Sequence, residues 1–225
     1  ISFKIPFPPL EIQEQIVTEL ESYQKIIDGA KQVVENYKPT FKIDPEWRKM
    51  TLKEVCDKIT DGTHKTPKYM DTGIPFLRVT DVTGTNQSKK YISYSEHKDL
   101  IKRCKPEKGD ILYTKNGTIG IAKIINWEWE FSIFVSLALL KPKKTVLYPK
   151  YLEIFLNSKE ALKQAISHSK SGTVTNLHLV EIKQMKIPLP SLKVQQQIVT
   201  QIESEQKIID ANKELITIFE NKIKD

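Results

Sequence analysis

Residues 5–18, Ile5-Pro-Phe-Pro-Pro-Leu-Glu-Ile-Gln-Glu-Gln-Ile-Val-Thr18, return at 187–200 as Ile187-Pro-Leu-Pro-Ser-Leu-Lys-Val-Gln-Gln-Gln-Ile-Val-Thr200. The copy runs on through 21–28 against 203–210 at a constant offset of 182, without a gap. Between residues 5 and 31, 17 of 27 positions are identical. A repeat this faithful constrains the architecture before any local reading is made. The same unit stands at both ends of the chain, and residues 38–190 lie between the copies.

Each copy has one grammar. A short apolar strand runs into a Pro-x-Pro segment, which stops the strand and fixes an extended approach to a helix. In the first helix, apolar residues fall at Ile12, Ile16, Leu20, Tyr23, Ile27, Ala30, Val34 and Tyr37. Steps of three and four draw one narrow seam along the helix. The second seam has Val194, Ile198, Ile202, Ile209, Ile216, Phe219 and Ile223, interrupted by Glu205 and Asn212. A seam of this kind must be buried, and two equivalent helices in one chain are natural partners. Ile16, Leu20, Tyr23, Ile27, Val34, Ile198, Ile202, Ile209 and Ile216 are therefore the candidates for helix pairing or partner binding. A helix of about 28 residues is ~42 Å long, more than the roughly 34–36 Å of one duplex turn. The alternative is a pair of ordinary bundle helices, but those rarely repeat their sequence around a large insertion.

The middle reads differently. Pro39, Pro45, Gly62, Pro67, Gly73, Pro75, Gly84, Pro106, Gly109 and Gly117 punctuate short segments. Strands are predicted at 76–82, 110–114, 119–125, 132–140 and 186–189, and helices at 150–156 and 158–167. The chain is thus expected to be α+β. A globular domain of short mixed strands, 38–190, lies between two long helices, in 1–37 and 191–225, that pair as an antiparallel coiled-coil spacer.

Charge separates the same regions. The net charge is +7. Residues 38–190 hold 27 Lys/Arg against 16 Asp/Glu, and the flanks together 8 against 12. A basic middle between acidic ends suits a polyanion in the middle and protein on the flanks, although a solvated lysine-rich surface would look similar. The longest apolar run, 131–140, is too short for a membrane span and reads as a buried strand. No signal peptide is visible, and Cys56 and Cys104 stand in unrelated contexts, so a reducing cytoplasm is expected. Ile1 is not an initiator methionine, and the natural protein is expected to extend upstream.

The polar loops of the middle carry the candidate contacts. Lys, Ser and Thr suit phosphates, whereas Arg, Asn and Asp discriminate base edges. The loop 60–68 offers Thr63, His64, Lys65 and Lys68. The run 78–81 offers Arg78, Thr80 and Asp81 on what reads as a strand. The turn 115–118 offers Lys115 and Asn116. The segment 167–176 offers Lys170, Ser171, Thr173, Thr175 and Asn176. Each loop alone could equally be solvated surface.

With these residues in hand, the chain resembles the specificity (S) subunits of type I restriction-modification systems. The two Ile-Pro-(Phe/Leu)-Pro helices resemble that family's conserved regions. Asp61-Gly-Thr-His64, Ile74-Pro-Phe-Leu-Arg-Val-Thr-Asp81, Lys108-Gly-Asp-Ile-Leu112, Gly117-Thr-Ile-Gly120 and Ser171-Gly-Thr173 resemble one target-recognition domain in order and spacing. The resemblance implies a non-catalytic subunit whose recognition domain reads half of a split duplex DNA target. Its helices would set the spacing and dock methyltransferase (M) subunits, with the restriction (R) subunit joining through the complex. No cofactor is expected on this chain; S-adenosylmethionine, Mg and ATP would belong to the partner subunits. Family members usually carry two recognition domains, each followed by a helix. With one domain between two helices, pairing of the helices within one chain and exchange of partners in a homodimer of this chain both stay open.

Enzyme readings fit poorly. The (Asp/Asn)-Pro-Pro-aromatic motif of adenine methyltransferases is missing, and Gly117-Thr-Ile-Gly120 is too short for a nucleotide loop. Glu181-Ile-Lys183 matches half of a nuclease site, but no Asp lies between Asp110 and Asp210. His64, His97, His168 and His178 show no metal-ligand spacing, so no metal site is expected. Two rivals stay open. The chain could be the recognition part of a fused single-chain restriction-methyltransferase, or a coiled-coil interaction protein without sequence readout.

Overall fold

The computed structural model describes residues 7–84, 88–168 and 176–224. In chain order the elements are α1 (Leu10–Asn36), β1 (Lys49–Thr51), α2 (Leu52–Val55), β2 (Cys56–Asp61), β3 (Ile74–Leu77), α3 (Val79–Thr83), β4 (Tyr91–Ile92) and α4 (Tyr94–Arg103). There follow β5 (Ile111–Thr114), β6 (Ala122–Ile124), β7 (Ser132–Ile133), β8 (Leu137–Pro142), α5 (Pro149–Leu156), α6 (Lys159–His168), α7 (Leu179–Gln184), β9 (Lys186–Pro188) and α8 (Leu192–Lys224). The chain divides into two compact units, Phe41–Thr200 and Ile1–Thr40 with Gln201–Asp225. The fold is mixed α and β with long terminal helices, in the class the sequence predicts.

The unit Phe41–Thr200 is built on an antiparallel sheet in the order β2-β8-β5-β6. A second sheet, β4-β3-β7, pairs β3 antiparallel to β4 and parallel to β7. A third pairs β1 with β9. The central strands are buried on both faces. Along β8, Ala138 and Leu140 enter one apolar cluster while Leu137 and Leu139 enter another. On β5, Ile111 and Tyr113 face the first cluster and Leu112 the second. Period-2 alternation thus serves two cores at once, which is why this region reads as an almost unbroken apolar run. The first cluster is roofed by Tyr151, Leu152, Phe155 and Leu156 of α5 and Ala161 and Ala165 of α6.

Local chemistry sets the boundaries. Pro149 opens α5 at a position where its missing N–H costs nothing. Ser93 Oγ accepts from Glu96 N at 3.1 Å to cap α4, and Lys102 and Arg103 sit in that helix's last turn, where cations suit the dipole. Two strand predictions need correction. The strand expected at 76–82 stops at Leu77, because the Asp81 carboxylate accepts the Arg78 N–H at 2.8 Å and starts α3. The strand expected at 132–140 splits into β7 and β8 around residues 134–136.

In the unit of helices, contacts run in opposite senses. The Tyr23 ring lies 5.1 Å from that of Phe219, while Tyr37 Oη donates to Glu205 at 3.1 Å. The helices are therefore antiparallel. Ile27, Ala30, Ile202 and Ile209 are buried, and Lys31 Nζ meets Glu220 at 2.8 Å. No helix among the described residues is long and apolar enough to cross a membrane.

Cys56 and Cys104 are buried in different clusters and unbridged. Burial pushes both thiols up to about 12, so neither forms an appreciable thiolate near neutrality. The native chain should resist Ellman's reagent at pH 8 and titrate two thiols after unfolding in guanidinium. Rapid labelling of the native chain would contradict this packing.

Candidate nucleic-acid interface

Residues 134–136, between β7 and β8, collect the polar loops. Thr63 N donates to Ile133 O at 3.1 Å, Val135 N to Thr63 O at 3.0 Å, and Gly62 N to Leu137 O at 3.3 Å. Lys115 N donates to Ser136 O at 3.0 Å. Ser136 Oγ accepts from Val79 N at 3.2 Å, and Phe134 N donates to Leu77 O at 2.9 Å. Leu177 N in turn donates to Lys115 O at 2.8 Å, and Asn116 bridges Asn176. The loops 60–68, 78–81 and 115–118 thus meet on one irregular stretch, and Asn176 joins them through Asn116. Gly62 makes the closest approach: a Cβ there would stand 2.0 Å from the Ile133 carbonyl oxygen.

Charge at this junction is organised by Asp61, a residue outside the sequence-based candidates. Its side chain is 4% exposed. His64 Nε2 lies 3.2 Å from Oδ2, Lys115 Nζ lies 3.5 Å from the same oxygen, and an Arg103 guanidinium N–H donates to Oδ1. Lys115 is 5% exposed, so its charge is engaged inside the domain. A buried ammonium of this kind needs its carboxylate, because the interior does not solvate it. His64 and Arg103 are 63% and 54% exposed and hold their charge or polarity at the surface. Sequence reasoning missed Arg103 and Ser136, since neither lies in a polar loop and each joins the site through folding.

The other candidates fall as follows. Thr63 is half-buried, and its Oγ accepts from Lys65 N at 3.2 Å. Lys65, Lys68 and Thr80 are exposed. Asp81 is buried and caps α3, with Arg78 Nε 3.4 Å from it. The amide oxygens of Asn116 and Asn176 are buried with no hydrogen-bond partner among the described residues. Lys170, Ser171, Thr173 and Thr175 lie outside the described residues. No grouping of His, Cys, Asp and Glu among the described residues could hold a metal ion.

The seam residues occupy distinct environments. Ile27, Ile202 and Ile209 are buried, while Tyr23, Val34 and Ile216 are half-buried. Ile198 packs against the main apolar cluster of Phe41–Thr200. Ile16 and Leu20 remain exposed on α1.

The family model described as the type I restriction modification DNA specificity domain matches residues 45–220. This chain belongs to that family. The chain is 28% identical over 175 residues to the EcoBI specificity subunit of Escherichia coli, covering 76% of this chain and 36% of that one. It resembles a chain of a solved type I R-M system at a TM-score of 0.63 and 24% identity, covering 98% of this chain and 58% of the other. It also resembles the HsdS subunit from Thermoanaerobacter tengcongensis at 0.61 and 21%, covering 98% and 59%. The chain therefore spans about a third to somewhat over half of these relatives' lengths.

Two substitutions test the junction. Gly62→Ala forces a side chain onto main chain that cannot yield, and should destabilise the specificity domain by roughly 1–3 kcal/mol. Asp81→Ala removes the α3 cap and should cost about 1–2 kcal/mol. Urea unfolding followed by tryptophan fluorescence measures both. An unchanged midpoint for Gly62→Ala would contradict the close approach.

Proposed function

We propose that this chain is the non-catalytic DNA-reading component of a type I restriction-modification enzyme. The unit Phe41–Thr200 binds one half of a bipartite duplex target in the cytoplasm. The chain's two long helices, α1 and α8, dock methyltransferase subunits, through which the restriction subunit joins. Methyl transfer and cleavage, with S-adenosylmethionine, Mg and ATP, belong to those partners. The observation that carries the reading is the meeting of three polar, cation-bearing loops around residues 133–137, with Asn176 joined to them through Asn116. Such a surface offers cations to phosphates and amides to base edges from a rigid scaffold. Thr63, His64, Lys65, Lys68, Arg78, Thr80 and Asn116 are the contacts it favours among the described candidates. Lys115 and Asp81 support the surface from within.

A second observation bears on assembly. Ile16 and Val17 of α1 correspond through the repeat to Ile198 and Val199 of α8. The α8 pair packs into the main core cluster, whereas Ile16 and Val17 are 46% and 53% exposed. The polar contact is repeated as well: Gln195 Nε2 donates to Pro190 O at 2.9 Å, and Gln13 Nε2 to Pro8 O at 2.7 Å. Gln195 also accepts from Tyr148 N at 2.8 Å and donates to Val146 O at 2.9 Å. The start of α1 thus carries the chemistry that seats such a domain. In a homodimer, the domain of a second copy fills that place.

Contact with about four phosphates predicts a roughly hundredfold loss of affinity between ~50 and ~200 mM salt. A salt titration of the chain assembled with its methyltransferase subunits on genomic DNA measures this. Exchanging residues 40–185 for those of a relative should change which sequences are methylated. An unchanged methylated sequence would leave only the scaffold role. Light scattering should find a dimer that Ile16→Glu with Val17→Glu dissociates; a monomeric unmodified chain would contradict the domain-exchange reading.

A further inference from the structure

We infer that Arg103 makes a directed base-edge contact with the duplex, aimed by the buried carboxylate of Asp61. The inference rests on the DNA-reading role proposed above and adds a residue from α4, outside the loops considered so far.

Arg103 is tethered twice to β2. Lys58 Nζ donates to its main-chain carbonyl at 2.6 Å, and Asp61 Oδ1 accepts from its guanidinium. The first contact fixes the end of α4 and the second fixes the far end of the side chain. A long side chain held at both ends loses most of its rotamer freedom before any ligand arrives. The Arg103 side chain nevertheless stays more than half exposed. Its planar fork carries five N–H donors, one of which goes to the Asp61 carboxylate oxygen. The remaining donors match the paired acceptors, O6 and N7, that guanine presents in the major groove.

The carboxylate itself is committed elsewhere as well. Oδ2 of Asp61 faces both Lys115 and His64, so a buried single charge is balanced before Arg103 is counted. Arg103 therefore keeps its charge for a partner while retaining a fixed direction. Asp61 also starts the loop that Gly62 and Thr63 pin to residues 133–137. Arg103 is thereby tied to the same junction as the loop contacts. Asp61 acts as a positioning residue and does not itself touch the duplex.

The test is the spectrum of methylated genomic sequences, read from cells carrying the full chain with its methyltransferase subunits. Arg103→Ala and Arg103→Lys should both relax the preference at one base pair of the half-site, because an ammonium cannot reproduce the fork. A tenfold or greater rise in methylation at sites differing there is expected. Asp61→Asn should relax the same position while Arg103 stays charged, which a purely structural role would not confine to one base pair. Both Arg103 variants leave the buried Asp61–Lys115 pair intact, so they report even if Asp61→Asn folds poorly. Unchanged preference in the Arg103 variants would overturn the inference, as would a uniform loss of methylation at all sites. If Arg78→Ala and Asn116→Ala shift the preference and the Arg103 variants do not, this inference alone fails. If none of them shifts it, the DNA-reading role fails with it.

Discussion

An apolar strand that breaks in mid-run exposes main-chain groups that must find partners elsewhere. Between β7 and β8 these partners are supplied by Gly62, Thr63, Leu77 and Lys115, from three separate stretches of chain. The strands on either side keep the break in place. β7 is held by β3, and β8 lies between β2 and β5 with its side chains entering both apolar clusters. Neither can slide, since a one-residue slip would exchange the residues of the two cores. The geometry of the polar surface follows from this immobility.

Electrostatics completes the same arrangement. A buried carboxylate at the end of β2 ties together groups from the turn after β5, from α4 and from the loop after β2. One of these, Lys115, is drawn inside; the others remain at the surface. Main-chain bonds and one ion cluster therefore converge on one edge of the domain. The helical unit is organised by other means, through an antiparallel seam in which Ile27, Ala30, Ile202 and Ile209 are shielded from water.

Much of this was legible in the residues. The repeat announced two equivalent helices, and period-2 and period-3.6 patterns located β5, β8, α5 and α6. What failed was reading across short distances. The alternation of Arg78, Val79, Thr80 and Asp81 suits a strand, but the Asp81 side chain captures the Arg78 N–H and turns the chain into α3. α4 escaped notice because its polar sequence buries little beyond His97. Within the site, the polar loops were visible as composition, but the division between surface and support was not. Lys115 and Arg103 are both cations, and only their depth beside Asp61 distinguishes them. Depth arises from long-range pairing, which one-dimensional pattern does not encode.

The loops at the junction are hung chiefly from main-chain atoms. Of the bonds that join residues 61–65 and 115 to 133–137, all those between backbones are indifferent to side-chain identity. Gly62 is the exception, because no side chain fits there. Such a surface separates inheritance of shape from inheritance of meaning. Exposed positions such as His64, Lys65 and Thr80 are free to drift while the frame that presents them persists. A lineage built on this plan changes what it reads by accumulating surface substitutions, without passing through an unfolded ancestor.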